Sequence, residues 1–257
     1  MVERSIRVIR NPRKLIDYWR RRREDWAIAL GTLTTPSNYR KCKTSDFGAL
    51  NEVKKHSLTR TDMSDHLVTL FYEAITAEPK LIVELGVRQG ESTFVLERVA
   101  RLRGAALISV DLDDCSQASS YPGWRFVRSD DIAFAGRFKE YCRGIGVEPQ
   151  IDLLFIDSSH LFEHTVQEIE HWFPLMAPRA KAIFHDTNLK ETYFYKDGTP
   201  RQGWDNQRGV IAAIEKYFGR PFDEERDFVE KVGDWQVKHY SYCSGLTILE
   251  KLPPGVK

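Results

Sequence analysis

Several features that would place a protein in a class at once are missing from this sequence. No apolar run approaches the ~18 residues needed to span a bilayer. The N-terminus, MVERSIRVIRNPRK, lacks the apolar stretch of a secretory signal. The four cysteines (Cys42, Cys115, Cys142 and Cys243) are scattered with no C-x-x-C spacing, which argues against a zinc ribbon or a disulfide framework and for reduced thiols in a cytoplasmic protein. There is no excess of one charge: 38 basic against 37 acidic residues leave a net charge of +1, so no global field recommends nucleic acid or a membrane surface as partner. Internal repeats and low-complexity tracts are absent as well. What remains is 257 residues, 42% hydrophobic and 29% charged, enough for one large α/β domain with an extension.

From about residue 80 onward, short β-rich runs alternate with helical patterns. The predicted strands are LIVELGV (81–87), ALISVDL (106–112), WRFVRS (124–129), IDLLFID (151–157) and KAIFHD (181–186), separated by amphipathic segments such as STFVLERVARL and FEHTVQEIEHWFPLM. Near-continuous apolar strands between helices indicate a parallel, doubly wound α/β sheet. A helix in NQRGVIAAIEKYFG, ended by Gly219, is followed by DFVEKVGDWQVKHY and SGLTILEK, two strands with no helix between them and therefore a hairpin. Residues 1–63 read as a helical and loop extension, a cap or an oligomer contact, and 64–257 as the main domain. In the N-terminal part LIDYWRRRREDWAIAL looks helical, TTPSNYRKCKTSDFG looks like a loop, and MSDHLVTLFYEAITAEP looks like a helix capped by Ser64. The run Arg20–Arg23 reads as a solvated helix face or subunit contact before a phosphate site.

The stretch VELGVRQGEST (83–93) ends the first strand and opens a helix. Gly86 and Gly90 permit a tight turn and close approach of a ligand, but Arg88 stands where a dinucleotide fingerprint needs its second glycine. Glu84 adds negative charge that suits a cationic ligand. Asp111, at the tip of the second strand, can take the two ribose hydroxyls of a nucleoside. Asp130 and Asp131, after the third, can accept from an adenine amino group. Acid at three strand ends suits a positively charged, adenosine-containing ligand.

Over roughly residues 64–251 this chain resembles the class I S-adenosylmethionine-dependent methyltransferases. The resemblance rests on the E-x-G-x-x-x-G loop (Glu84, Gly86, Gly90), the acid after the second strand, the acid after the third, and the terminal hairpin. It implies a seven-stranded, mostly parallel Rossmann-like sheet. It also implies a cofactor site made by Glu84, Leu85, Gly86, Arg88, Gly90, Ser92, Thr93, Asp111, Leu112, Asp130, Asp131 and Asp157.

A second group follows the fourth and fifth strands. FIDSSH places Asp157 at a strand end with His160 three residues on, and IFHDTN places His185 and Asp186 at the next. Two strand-end aspartates can share a cation such as Mg²⁺, Ca²⁺ or Mn²⁺, with a histidine beside them to take a proton from a hydroxyl. The pattern is similar to metal-dependent sugar O-methyltransferases of antibiotic pathways, including macrolide and enediyne deoxysugar enzymes, and to cephalosporin hydroxylase-like proteins. That likeness implies Asp157, His185 and Asp186 as ligands of Mg²⁺ or Mn²⁺, with His160 as base. His185 stands where that group often has glutamate, so Asn188 or water is an alternative third ligand. The plainer readings are a helix N-cap for Asp157 and a hydrogen-bonded core residue for His185.

HLFEH (160–164) also matches the inverted zinc-peptidase pattern H-x-x-E-H. His160 falls where the helix begins, however, while His164 and His171 lie deeper and are expected to pack or face solvent. In the long stretch 191–209, Tyr193, Tyr195 and Trp204 offer flat faces for a sugar, and Arg201 or Arg208 can hold a phosphate. A nucleotide-linked sugar or glycosylated natural product is the expected acceptor of a homo-oligomeric O-methyltransferase. A zinc hydrolase and a silent nucleoside-binding protein stand as alternatives.

Overall fold

The computed structural model describes residues 44–252. The helix expected over 15–30, the Arg20–Arg23 run and Cys42 lie outside the described residues. In chain order the elements that build the domain are α1 (Thr44–His56), α2 (Leu67–Thr76), β1 (Leu81–Leu85), α3 (Glu91–Arg103), β2 (Ala106–Asp111), β3 (Trp124–Arg128), α4 (Asp131–Ala135), α5 (Phe138–Gly144), β4 (Ile151–Ile156), α6 (Phe162–Trp172) and β5 (Met176–His185). Then come β6 (Thr192–Phe194), β7 (Pro200–Gln202), α7 (Gly209–Phe218), β8 (Phe228–Val232), β9 (Trp235–Tyr240) and β10 (Leu246–Lys251).

One eight-stranded sheet runs β3-β2-β1-β4-β5-β10-β9-β8. The first five strands pair in parallel, while β10, β9 and β8 are antiparallel. The fold class is as expected, with one strand more than seven. DFVEKVGDWQVKHY is not a single strand: Gly233, at φ 61°, turns it so that β8 folds back onto β9. Chain order reverses between β1 and β4, because β2 and β3 extend the sheet one way and β4 and β5 the other. That switch point opens a crevice at the carboxyl ends of β1 and β4.

Burial on both faces explains the apolar strands. In β1, Leu81, Val83 and Leu85 point into a core shared with α4 to α7, whereas Ile82 points into a second core with α2 and α3. Leu50, Val53 and Met63 are buried in that second core, so residues 48–63, assigned to the extension from sequence, are part of the domain. α2 begins at Leu67 with His66 as its N-cap residue. Ser64 is not the cap; its hydroxyl donates to the Thr61 carbonyl.

A partly buried ion-pair network ties α2 to the sheet. Lys181 Nζ lies 2.7 Å from Glu73 Oε2, and Lys238 Nζ lies 3.0 Å from Glu73 Oε1 and 3.1 Å from Glu250 Oε2. Burial would raise the Glu73 pKa, but the Lys181 and Lys238 ammonium groups outweigh it and hold it below the ordinary value. The network's contribution is therefore present near neutral pH and is lost as pH falls below the usual carboxylate range. Glu73→Ala leaves Lys181, 4% exposed, with the Thr76 hydroxyl at 3.1 Å and the Glu250 carboxylate at 3.5 Å. The expected loss in chemical denaturation is large but below the ~3–5 kcal/mol of a fully buried pair. A loss under ~0.5 kcal/mol, the range of surface substitutions, would contradict this.

Candidate active site

The loop after β1 is shaped by what touches Gly86. It sits at φ 86°, and a Cβ there would stand 2.1 Å from the Asp157 carbonyl oxygen. The ends of β1 and β4 thus close on one another only with glycine at this place, and Asp157 N–H donates to Leu85 O at 2.8 Å. Gly90, at φ 84°, starts α3 against Ala118.

Asp111 fastens the same loop. Its Oδ2 accepts Val87 N–H at 2.7 Å and Arg88 N–H at 3.0 Å, and its Oδ1 accepts Asp113 N–H at 2.9 Å. Burial works against its charge, but the Arg88, Val87 and Asp113 amides outweigh burial and hold the pKa below the usual carboxylate value. The Cys115 thiol is a fourth donor to this carboxylate. Glu84 behaves otherwise than its sequence reading. It is fully buried, and Ser92 Oγ (2.6 Å), Thr93 Oγ1 (2.9 Å) and Ser109 Oγ (2.5 Å) donate to it. Burial, only partly offset by those hydroxyls, raises its pKa to about 7. Glu84, Leu85 and Thr93 brace the loop from inside the protein and line neither of the two adjoining cavities described next.

A cavity of about 310 Å³ opens at the switch point, of a size at the lower end for small-molecule sites. Of the expected cofactor residues, Gly86, Arg88, Asp111, Leu112, Asp130, Asp131 and Asp157 line it, together with His160, His164 and Asp186. Asp130 caps α4 by accepting Ala133 N–H at 2.8 Å. A second cavity, of about 260 Å³, shares Asp62, Val87, Arg88 and Asp157 with the first and includes Ser92, Arg60 and Arg201. The Arg88 side chain leans out to Asp62, 2.7 Å away.

Asp157, His160, His185 and Asp186 converge where β4 and β5 end. His160 Nδ1 lies 3.4 Å from Asp186 Oδ2 and 3.8 Å from Asp157 Oδ1. His185 Nδ1 lies 3.2 Å from Asp157 Oδ1 and 3.3 Å from Asp186 Oδ1. Asp157, His160 and Asp186 each present a ligand atom within 4.8 Å of the others, and Asp186 Oδ1 is buried without a hydrogen-bond donor; within this trio the two carboxylates suit a divalent cation, with the His160 ring beside them. His185 is outside the trio. Its ring is buried; burial alone would strip its proton, but Asp186 and Asp157 outweigh that and push its pKa up to about 10. Sequence reasoning missed His66, whose ring meets His185 edge-on at 5.8 Å and stacks on Tyr242. Burial first, then His185, lowers the His66 pKa to about 3, so it is neutral. No local motif announces it.

Other expectations change. α6 starts at Phe162 and His160 stands before it at φ 59°, so His160 and His164 do not share a helical face and the peptidase reading fails. His164 neither packs in the core nor faces bulk solvent: it pairs with Asp131 at 3.0 Å and lines the cavity. The 191–209 stretch forms the β6–β7 hairpin, tied down by the Arg60–Asp197 ion pair and by Lys196 N–H donating to Asp65. Tyr193 and Tyr195 are buried against Leu189 and Cys243, and Arg208 is held by Glu224 and Glu215, so none of the three is free for an acceptor. Trp204 is exposed, 6.0 Å from the His160 ring between centroids, and Arg201 donates to Tyr195 Oη at 2.6 Å. Cys115, Cys142 and Cys243 are unpaired, and no helix among the described residues is long and apolar enough to cross a membrane.

Comparison with known proteins bears on the fold. A family model described as a methyltransferase domain matches residues 83–187, which span β1 to the end of β5 and both halves of the site. The chain has the class I S-adenosylmethionine-dependent methyltransferase fold. A putative caffeoyl-CoA O-methyltransferase from Staphylococcus aureus superposes with a TM-score of 0.51 at 13% identity, over 89% of this chain and 99% of that one. The MycE methyltransferase of mycinamycin biosynthesis, solved with Mg, S-adenosylhomocysteine (SAH) and mycinamycin VI, gives a TM-score of 0.51 at 16% identity, over 81% of this chain and 56% of that one. The uncharacterized protein y4gI of Sinorhizobium fredii (strain NBRC 101917 / NGR234) is 34% identical over 128 residues, 45% of this chain. The chain spans only 14% of the length of that curated relative.

In this methyltransferase fold Gly86→Ala is expected to lower the melting temperature by several degrees, since the new Cβ would meet the Asp157 carbonyl. For comparison, ~1 kcal/mol shifts a domain of this size by ~2–4 °C. An unchanged melting curve would show that the two strand ends are not locked as described.

Proposed function

We propose that this protein is an S-adenosylmethionine-dependent O-methyltransferase acting on a sugar hydroxyl, with a divalent cation held by Asp157 and Asp186 and with His160 as base. The acceptor class is a nucleotide-linked sugar or a glycosylated natural product. The observation that carries this reading is the meeting of Asp157, His160 and Asp186 at one edge of a cavity that strand-end acids line on the other. Bound S-adenosylmethionine supplies an electrophilic methyl group on a cationic sulfur. Asp111, at the tip of β2 on the cavity wall, suits a ribose hydroxyl, and Asp130 suits an adenine amino group. A bound cation lowers the pKa of an acceptor hydroxyl. His160 Nδ1 is directed at the two carboxylates, which leaves Nε2 to accept the hydroxyl proton. Trp204 beside it offers a flat face for a sugar ring. The Mg and mycinamycin VI in MycE belong to that protein and lend support by likeness of fold. The balanced charge favours a small-molecule acceptor over nucleic acid or membrane.

The deciding experiment is transfer of labelled methyl from S-adenosylmethionine to a panel of sugar nucleotides and glycosylated natural products, followed by mass spectrometry. His160→Ala is expected to lower kcat by ~10²–10⁴-fold with cofactor affinity nearly intact. Undiminished turnover would remove His160 from the chemistry. Cofactor binding with no transfer to any acceptor would favour a silent binding protein.

Metal dependence is tested separately. Chelator is expected to abolish turnover, with Mg²⁺ or Mn²⁺ restoring it, and Asp186→Asn is expected to resist rescue. Full activity of Asp186→Asn in excess chelator would rule the cation out.

A further inference from the structure

A second cluster of ligating side chains adjoins the same cavity. His164 and Glu168 lie one turn apart on α6 and share a face, while Asp131 opens α4. His164 Nε2 lies 3.0 Å from Asp131 Oδ1 and 3.2 Å from Oδ2, and each of the three residues presents a ligand atom within 4.8 Å of the others. Glu168 is fully buried. Its Oε1 accepts the Ser158 hydroxyl at 2.6 Å, its Oε2 is buried with no donor from a neutral or cationic group, and its carboxyl lies within hydrogen-bond reach of the Asp131 carboxyl. Burial, and then the Asp131 carboxylate, push the Glu168 pKa well above the ordinary value. Two carboxyl groups in this setting require a positive species between them, either a proton or a cation.

The His164–Asp131 separation of 3.0 Å is that of a hydrogen bond and is equally compatible with two adjacent ligands of one ion, ~3.0–3.5 Å apart. Two features favour the cation. A second layer of hydrogen bonds already orients the ligands: Ser158 Oγ donates to Glu168, and Ile132 N–H donates to Asp131 Oδ1 at 2.9 Å. Asp131 and His164 line the cavity, so an ion has an entry path and water can complete its shell.

We propose that Asp131, His164 and Glu168 bind a divalent transition-metal cation, separate from the Asp157–His160–Asp186 group. One imidazole nitrogen with two carboxylates selects Zn²⁺ or Mn²⁺ over Mg²⁺ or Ca²⁺. The ion joins α4 to α6, and through Ser158 it braces the residue that follows Asp157.

The test is calorimetric titration of Zn²⁺ into metal-stripped full-length protein and two double variants, each checked for native circular dichroism. Asp157→Asn/Asp186→Asn is expected to retain one equivalent of Zn²⁺, and His164→Gln/Glu168→Gln is expected to lose that equivalent. If the buried Glu168→Gln change prevents folding, His164→Gln alone, on a partly exposed side chain, takes its place. Unchanged stoichiometry on removing His164 would overturn the proposal. So would a folded Asp157→Asn/Asp186→Asn protein that binds no Zn²⁺, since Glu168 then holds a proton instead.

Discussion

The place a side chain would occupy on Gly86 is filled by the carbonyl oxygen of Asp157. Almost everything at the site follows from that contact. It brings the end of β1 against the end of β4 at the point where the sheet changes direction, and it sets Asp157 between the two cavities. The loop beyond Gly86 is then held from above by Asp111, which accepts two of its amides, and from within by Glu84 and its three hydroxyl donors. A buried carboxyl with so many donors is costly to displace. The cavity is thus formed by the fold before any ligand arrives.

The site also concentrates unfavourable local structure. Arg88, His160 and Asp186 are non-glycine residues at φ 49°, 59° and 56°, a conformation costing roughly 1–2 kcal/mol each. All three face the cavity. Orphaned buried atoms gather there too, among them Asp186 Oδ1, His185 Nε2 and Glu168 Oε2. Strain and unmet hydrogen bonding persist where surrounding structure over-determines them, and here that structure is the sheet with its two cores and the Lys181–Glu73 network. Such positions are where a ligand, cation or proton has most to offer.

The parts of this arrangement legible in the sequence are those governed by local pattern. LIVEL and IDLLFI read as strands because burial on both faces leaves no polar alternation to confuse them. Acids just past parallel strands necessarily share one end of the sheet, which is why Asp111, Asp130, Asp157 and Asp186 were visible as a group. The turn dividing β8 from β9 carried its signal in Gly233-Asp234, a hairpin dipeptide order less common than Asp-Gly. What stayed hidden depends on distant partners. Ser109 lies 25 residues from Glu84, and His164 lies 33 from Asp131. Tyr193 and Tyr195 have the composition of a binding wall, but packing on Cys243 turns them inward. Arg208 has the charge for a phosphate, yet Glu224 and Glu215 take it up first.

In the function proposed above, the crevice between β1, β2 and β4 is an adenosyl site whose ribose partner is Asp111. Calorimetric titration of S-adenosylhomocysteine into the wild-type protein and Asp111→Ala measures this without any knowledge of the acceptor. One molecule bound per chain, weakened by ~1–3 kcal/mol in the folded variant, is the predicted result. No binding by the wild type, or equal affinity in the two proteins, would contradict it.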